Sequence, residues 1–142
     1  MKTLDQWMIE YGESHKNRQN QIIHKICVPV IFFTVVGFLL LIPYALGPLR
    51  AGEILLLVAL AWYLSLGFKA FLVMLVQLGI SYILFENLAR LVEPFWVLAA
   101  LFVVAWIGQF IGHKIEGKKP SFFKDLQFLL IGPLWVVRPL FR

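Results

Sequence analysis

Residues 26–46, ICVPVIFFTVVGFLLLIPYAL, decide the fold. The stretch is uncharged, and a helix needs about 20 apolar residues to cross the hydrocarbon core of a bilayer. It therefore reads as a membrane span, ended by Gly47-Pro48. Toward the C-terminus three more apolar runs follow, at about 52–68, 70–86 and 94–113. Lys69 separates the first two of these, a polar stretch over 86–93 closes the second, and Pro94 suits the first position of the last helix. Residues 114–120 (KIEGKKP) form a charged break. In the polar first 24 residues, Leu4, Trp7, Met8 and Tyr11 recur at three- and four-residue spacing. This predicts an amphipathic helix over 3–15, lying at the interface with Trp7 at headgroup depth. Residues 121–142 are amphiphilic and interrupted by Gly132-Pro133 and Pro139, which predicts a broken helix on or partly in the membrane. The expected fold is all-α and integral to the membrane: a four-transmembrane-helix bundle with an N-terminal amphipathic helix and a broken C-terminal interfacial helix. Residues 1–142 read as a single membrane-embedded catalytic domain.

Composition agrees. Of 142 residues, 61% are apolar types and 15% charged, and the mean hydropathy is +0.82. Soluble domains carry about 25% charge, so the composition argues against a water-soluble domain, and a disordered chain is excluded. A single cysteine, Cys27, excludes an intrachain disulfide scaffold. The net charge of +5 comes from basic residues set between apolar runs, with no basic stripe interleaved with aromatics. Anionic headgroups or an anionic substrate fit this pattern, and nucleic acid does not. With four spans and the N-terminus inside, eleven Lys and Arg face the cytoplasm and only Arg50 and Arg90 face out. Both termini are therefore expected in the cytoplasm. The lack of an apolar leader in this compact chain favours a bacterial inner membrane over an endoplasmic reticulum.

An even number of spans also brings the polar N-terminal segment and residues 114–120 to one face. That face collects all three histidines, His15, His24 and His113. Three imidazoles can hold a metal and leave positions open for substrate. Tyr11 and His15, Asn20 and His24, and Gln109 and His113 are each four residues apart and share a helix face. Tyr11, Asn20 and Gln109 are thus placed to fix the imidazole tautomers. His15 and His24 are nine apart, which at about 100° per residue puts them on opposite faces of a continuous helix. They can share one ion only if the chain breaks between them, over KNRQN at 16–20. Glu116, three residues after His113, can complete a two-His-one-carboxylate set, act as a general base, or be a solvated carboxylate paired with Lys118 or Lys119. The chain has no Gly-rich phosphate loop, nucleophile elbow, Cys-x-x-Cys, or histidine boxes sufficient for two irons.

Tyr11, His15, Asn20, His24 and Pro29, followed by Gln109-Phe110-Ile111-Gly112-His113, Glu116 and Pro120, resemble the signature of small membrane proteins related to yeast 2-hydroxy fatty acid dioxygenase. The resemblance implies an iron(II)- and O₂-dependent enzyme that converts a 2-hydroxy long-chain fatty acid to the acid one carbon shorter. It implies His15, His24 and His113 as the iron ligands. Three neutral imidazoles leave about three positions of an octahedron, enough for a chelating 2-hydroxy acid and O₂. Lys114, Lys118 and Lys119 can draw the carboxylate to the membrane surface. Three features depart from the family pattern. Lys16 stands where a second histidine follows the first, and Pro120-Ser121-Phe122 replaces Pro-Ala-Leu. The interval between His113 and Glu116 is also one residue shorter, which turns Glu116 by about 100°. Two other classes fit the residues alone. One is a zinc-dependent membrane lipid hydrolase using Glu116 as base; the other is a non-catalytic small membrane protein whose histidines do not converge.

Overall fold

The computed structural model describes residues 1–117 and 122–140, with side chains described for 1–117 and 127–139. The chain is overwhelmingly helical. Helix α1 (Leu4–Glu13) starts from a capping box in which Thr3 Oγ1 accepts from Gln6 N at 3.3 Å and Gln6 Oε1 accepts from Thr3 N at 2.9 Å. It ends before His15, because Asn17 caps a new helix. Asn17 Oδ1 accepts from Gln19 N at 2.9 Å and from Asn20 N at 3.4 Å, and α2 (Arg18–Leu40) follows.

Helix α2 begins eight residues before the expected span and stops six before its expected end at 46. Apolarity marks what can meet lipid, whereas the helix starts wherever its cap lies. At the far end Pro43 lacks an N–H and disfavours helical geometry just before it. A short antiparallel pair, β1 (Ala45–Leu46) and β2 (Leu49–Arg50), takes over instead. Helix α3 (Ala51–Leu66) and helix α4 (Phe68–Leu91) are separated by Gly67 alone, at φ +136°, a backbone conformation open to glycine. The break is therefore Gly67 and not Lys69, which lies inside the first turn of α4. Most of the polar stretch 86–93 is helical. Helix α5 (Pro94–Glu116) does begin on Pro94, and it runs three residues past 113.

Helix α6 (Phe122–Val136) corrects the reading of a broken interfacial helix. It continues through Gly132-Pro133, and a 3₁₀ turn at Arg138–Leu140 follows. Pro133 keeps a helical φ and forfeits one ladder bond. Burial of Ile131, Leu134 and Trp135 around it offsets that loss.

Helices α2, α4 and α5 are long and apolar enough to cross a membrane; α3 is apolar but has 16 residues. Contacts divide the chain into two units, one of residues 33–102 and the other of residues 1–32 with the described part of 103–142. In the 33–102 unit, Tyr63, Met74, Phe85 and Leu98 are buried. There Arg50 donates from Nε to Glu53 Oε1 at 2.6 Å and from Nη2 to Glu86 Oε1 at 2.6 Å and Tyr82 Oη at 2.9 Å. The guanidinium thus ties the start of α3 to α4. The other unit contains all three histidines, and its core holds Tyr11, Ile31, Ile131 and Leu134.

Candidate functional site

His15 lies in the turn between α1 and α2, so the chain does break between His15 and His24. Three side chains hold this turn through its main chain. Asn20 Nδ2 donates to the Ser14 carbonyl at 3.2 Å, and Gln21 Nε2 donates to the His15 carbonyl at 2.6 Å. Glu116, from the end of α5, accepts from Lys16 N and Asn17 N at 2.9 Å each and from Asn20 Nδ2 at 3.1 Å. Its carboxylate is a clamp that binds α5 to the turn carrying His15.

Both buried imidazoles are oriented by backbone. His15 Nδ1 lies 2.6 Å from the Tyr11 carbonyl, and His24 Nδ1 lies 2.9 Å from the Asn20 carbonyl. A carbonyl can only accept, so each Nδ1 carries the proton and each Nε2 keeps its lone pair. The four-residue spacing thus acts through main-chain oxygens. Tyr11 instead stacks its ring on His15, with centroids 4.1 Å apart and planes within 1°. The Asn20 side chain serves the turn. Burial pushes His15 down to about 4, below the ordinary histidine value, so its imidazole is neutral at physiological pH. His15 Nε2 is buried and has no hydrogen-bond partner.

His24 meets His15 edge-on at 4.2 Å between ring centres. His113, from α5, lies 5.6 Å from His24 and 6.4 Å from His15. With metal–nitrogen bonds of about 2 Å, ring centres sit about 3.2 Å from a shared ion, so at ligand angles of about 90–110° two such centres are roughly 4.5–5.2 Å apart. Among the described residues no three His, Cys, Asp or Glu side chains stand in ready-made ligand geometry. The 6.4 Å separation identifies the half-buried His113 ring as the one that must turn. The donor set itself fits a divalent transition metal: three imidazoles, two of them with fixed tautomers and one with an orphaned buried Nε2.

Two glycines let α5 come this close. A Cβ on Gly108 would lie 2.5 Å from Cys27 Sγ, and one on Gly112 would overlap Asn20 Oδ1 and lie 3.2 Å from His24 Cε1. Gly108-x-x-x-Gly112 is a small-residue helix-packing pattern. The pattern is visible in the sequence.

A cavity of about 30 Å³ opens at the cluster. Its polar lining is the three imidazoles, Gln109, Tyr11 and Trp106; Val28, Ile31, Phe128 and Leu129 supply an apolar wall. Trp135 packs 5.4 Å from His15 and 5.1 Å from Tyr11, with Arg138 over its indole at 5.3 Å. Neither residue was identified from sequence, because α6 reads as an interfacial segment. Gln109 is buried and its Oε1 has no hydrogen-bond partner. Lys114 is exposed at the end of α5, and Lys118 and Lys119 lie outside the described residues.

The clamp can be tested directly. Glu116→Ala is expected to weaken metal binding about 10-fold, because it loosens the turn that aims His15. It is expected to destabilise the fold by about 1–2 kcal/mol, since water can replace part of what the exposed amides lose. Isothermal titration with Fe(II) or Co(II), paired with thermal melts, reads both effects. Unchanged affinity would show that the turn holds without the carboxylate.

Fold and site together define a helical protein with three membrane-length apolar helices and a histidine cluster beside a small, partly apolar cavity. The chain belongs to the Mpo1-like family, described as 2-hydroxy-palmitic acid dioxygenase Mpo1-like, which it matches over residues 1–142. Neither a curated protein nor a solved structure matches the chain.

Proposed function

We propose that this protein is an iron(II)-dependent, membrane-embedded dioxygenase that shortens 2-hydroxy long-chain fatty acids by one carbon. The observation that carries the reading is the pair of buried histidines whose Nδ1 protons are held by backbone carbonyls, which leaves their Nε2 lone pairs for a shared ion with His113. A 2-hydroxy acid and O₂ balance as the shortened acid, CO₂ and water, with no further reductant. Iron(II), when bound, supplies the activation of O₂. The residues supply the rest. The imidazoles hold the ion, the apolar wall of Val28, Ile31, Phe128 and Leu129 takes the carbons next to the head, and the cationic segment 114–119 attracts the carboxylate. The family description names a 2-hydroxy-palmitic acid dioxygenase and supports the substrate class.

The reading includes four spans with both termini cytoplasmic, in a bacterial inner membrane. Parity supports it. The start of α2 and the end of α5 meet at His24 and His113, so the chain between them crosses an even number of times. If α4 crosses, α3 crosses with it; at about 1.5 Å per residue α3 spans roughly 24 Å, so its ends sit in headgroups or wet bilayer. Eleven inward basic residues against two support the same orientation.

The zinc hydrolase reading needs a free general base. Glu116 already accepts three hydrogen bonds from the turn, and no carboxylate is among the described residues lining the cavity. The test is anaerobic purification in detergent, elemental analysis, and turnover of 2-hydroxypalmitate with O₂ uptake. The expected result is one iron per chain and one O₂ consumed per pentadecanoate formed. A protein without redox metal, or turnover that persists without O₂, overturns the proposal.

A further inference from the structure

Most polar groups around the histidines have a visible task; among the described residues lining the cavity, one acceptor besides the candidate ligand nitrogen His15 Nε2 does not. The two Nδ1 atoms bind carbonyls, and Asn20 Nδ2 and Glu116 hold the turn. Gln109 sits on α5 one helical turn before His113, is 8% exposed, and lines the cavity. Its Oε1 is buried without a partner, and it makes no bond to the His113 ring among the hydrogen bonds of the described residues. Asn20 Oδ1 is also unpartnered, but it lies against Gly112, and Asn20 is not among the residues lining the cavity. A buried amide oxygen left without a donor is unfavourable, so such a group facing a cavity fits a ligand that brings the donor.

On the functional reading above, on which this inference rests, only one substrate group can bring it. At neutral pH the carboxylate has no proton to give and the alkyl chain has no polar hydrogen. The 2-hydroxyl is the remaining donor. We propose that Gln109 is the residue that recognises the 2-hydroxyl group, accepting its O–H at Oε1, and so separates 2-hydroxy fatty acids from unsubstituted ones. A site that leaves a buried polar group unpaired rejects the analogue lacking the matching hydroxyl far more strongly than an apolar pocket can. Placement of Gln109 one turn from His113 puts the acceptor beside the carbon that is oxidised.

The experiment measures equilibrium binding of 2-hydroxypalmitate and palmitate to the full-length, metal-free protein in detergent, so that no ion contributes to the preference. Wild type is expected to favour the hydroxy acid at least about tenfold. Gln109→Met, close in size and without an acceptor of comparable strength, is expected to bind both acids alike while its affinity for palmitate stays within about twofold. Gln109→Asn, which keeps the acceptor on a shorter arm, is expected to restore part of the preference. Co(II) titration of Gln109→Met should match wild type. The assignment is overturned if wild type shows no preference or if Gln109→Met keeps it. It is equally overturned if only the Co(II) affinity falls, since Gln109 would then be positioning His113; the dioxygenase reading survives each of these results. If metal-free wild type binds neither acid, the assignment to Gln109 fails, while the dioxygenase reading is decided by the iron and O₂-uptake assay.

Discussion

Replacing His24 by alanine is expected to abolish iron binding and to lower turnover of 2-hydroxypalmitate to below about 1% of wild type, with helix content retained. Removing an outer-sphere partner of a ligand already costs about 10- to 100-fold in metal affinity, and removing the ligand costs more. His24 is the centre of the cluster, 4.2 Å from His15 and 5.6 Å from His113, whereas those two are 6.4 Å apart. It is also 1% exposed and fixed through the Asn20 carbonyl, so no solvent-borne group can take its place. His15→Ala is expected to lose metal comparably and to lose the stacked contact with Tyr11 as well. His113→Ala, at a half-buried ring that must turn to ligate, is expected to leave weak residual binding. Iron stoichiometry by elemental analysis, circular dichroism and O₂ uptake measure these outcomes together. A folded His24→Ala protein that keeps one iron per chain and normal turnover would remove the basis for a histidine centre.

Much of this arrangement could be read from the sequence because two simple geometrical constraints act on it. The expected even number of spans would put residues 15, 24 and 113 toward one end, and the opposite-face relation of His15 and His24 demands the break that Ser14–Asn17 supplies. The limits lie where local pattern and long-range contact part company. Glu116 reads as a ligand, a base or a loop carboxylate because its partners, the amides of Lys16 and Asn17, are about a hundred residues away. The bounds of α2 could not be read from hydropathy, since its cap Asn17 precedes a polar first turn and Pro43 ends it inside the apolar run. Gly132-Pro133 looks like a break, yet burial of Ile131, Leu134 and Trp135 carries α6 through it. Tertiary packing outweighs local propensity in each case. The side-chain carboxamides of Asn20 and Gln109 follow the same logic. Both lie four residues before a histidine, but one is used by the turn and the other faces the cavity.

Adding a single methyl group at Gly112 is expected to disturb the centre nearly as much as deleting a ligand. The alanine Cβ would overlap Asn20 Oδ1 and press His24 Cε1 at 3.2 Å. Asn20 cannot turn aside freely, because its Nδ2 holds both Ser14 and Glu116. Either those bonds break, at about 1 kcal/mol each, or α5 retreats from α2 and carries His113 away from His24. Overpacking of this kind costs about 1–3 kcal/mol in stability, and a displacement near 1 Å at a reacting centre costs about 100-fold in rate. Gly112→Ala should therefore lower metal affinity and turnover by roughly two orders of magnitude while the protein still folds. Gly79→Ala is the matched control: that helical glycine has nothing within 4 Å of a built Cβ, so the change should be neutral or mildly stabilising. Asn20→Ala in the Gly112→Ala background separates the two routes. If the amide is the obstacle, trimming it relieves the clash and part of the metal affinity returns, even though the turn loses its bond to Ser14. If affinity does not return, α5 has moved as a helix and the ring of His24 is the rigid contact. Wild-type affinity and turnover in Gly112→Ala itself would mean that α2 and α5 do not approach closely at His24, and the close packing that brings His113 to the other imidazoles would have to be abandoned.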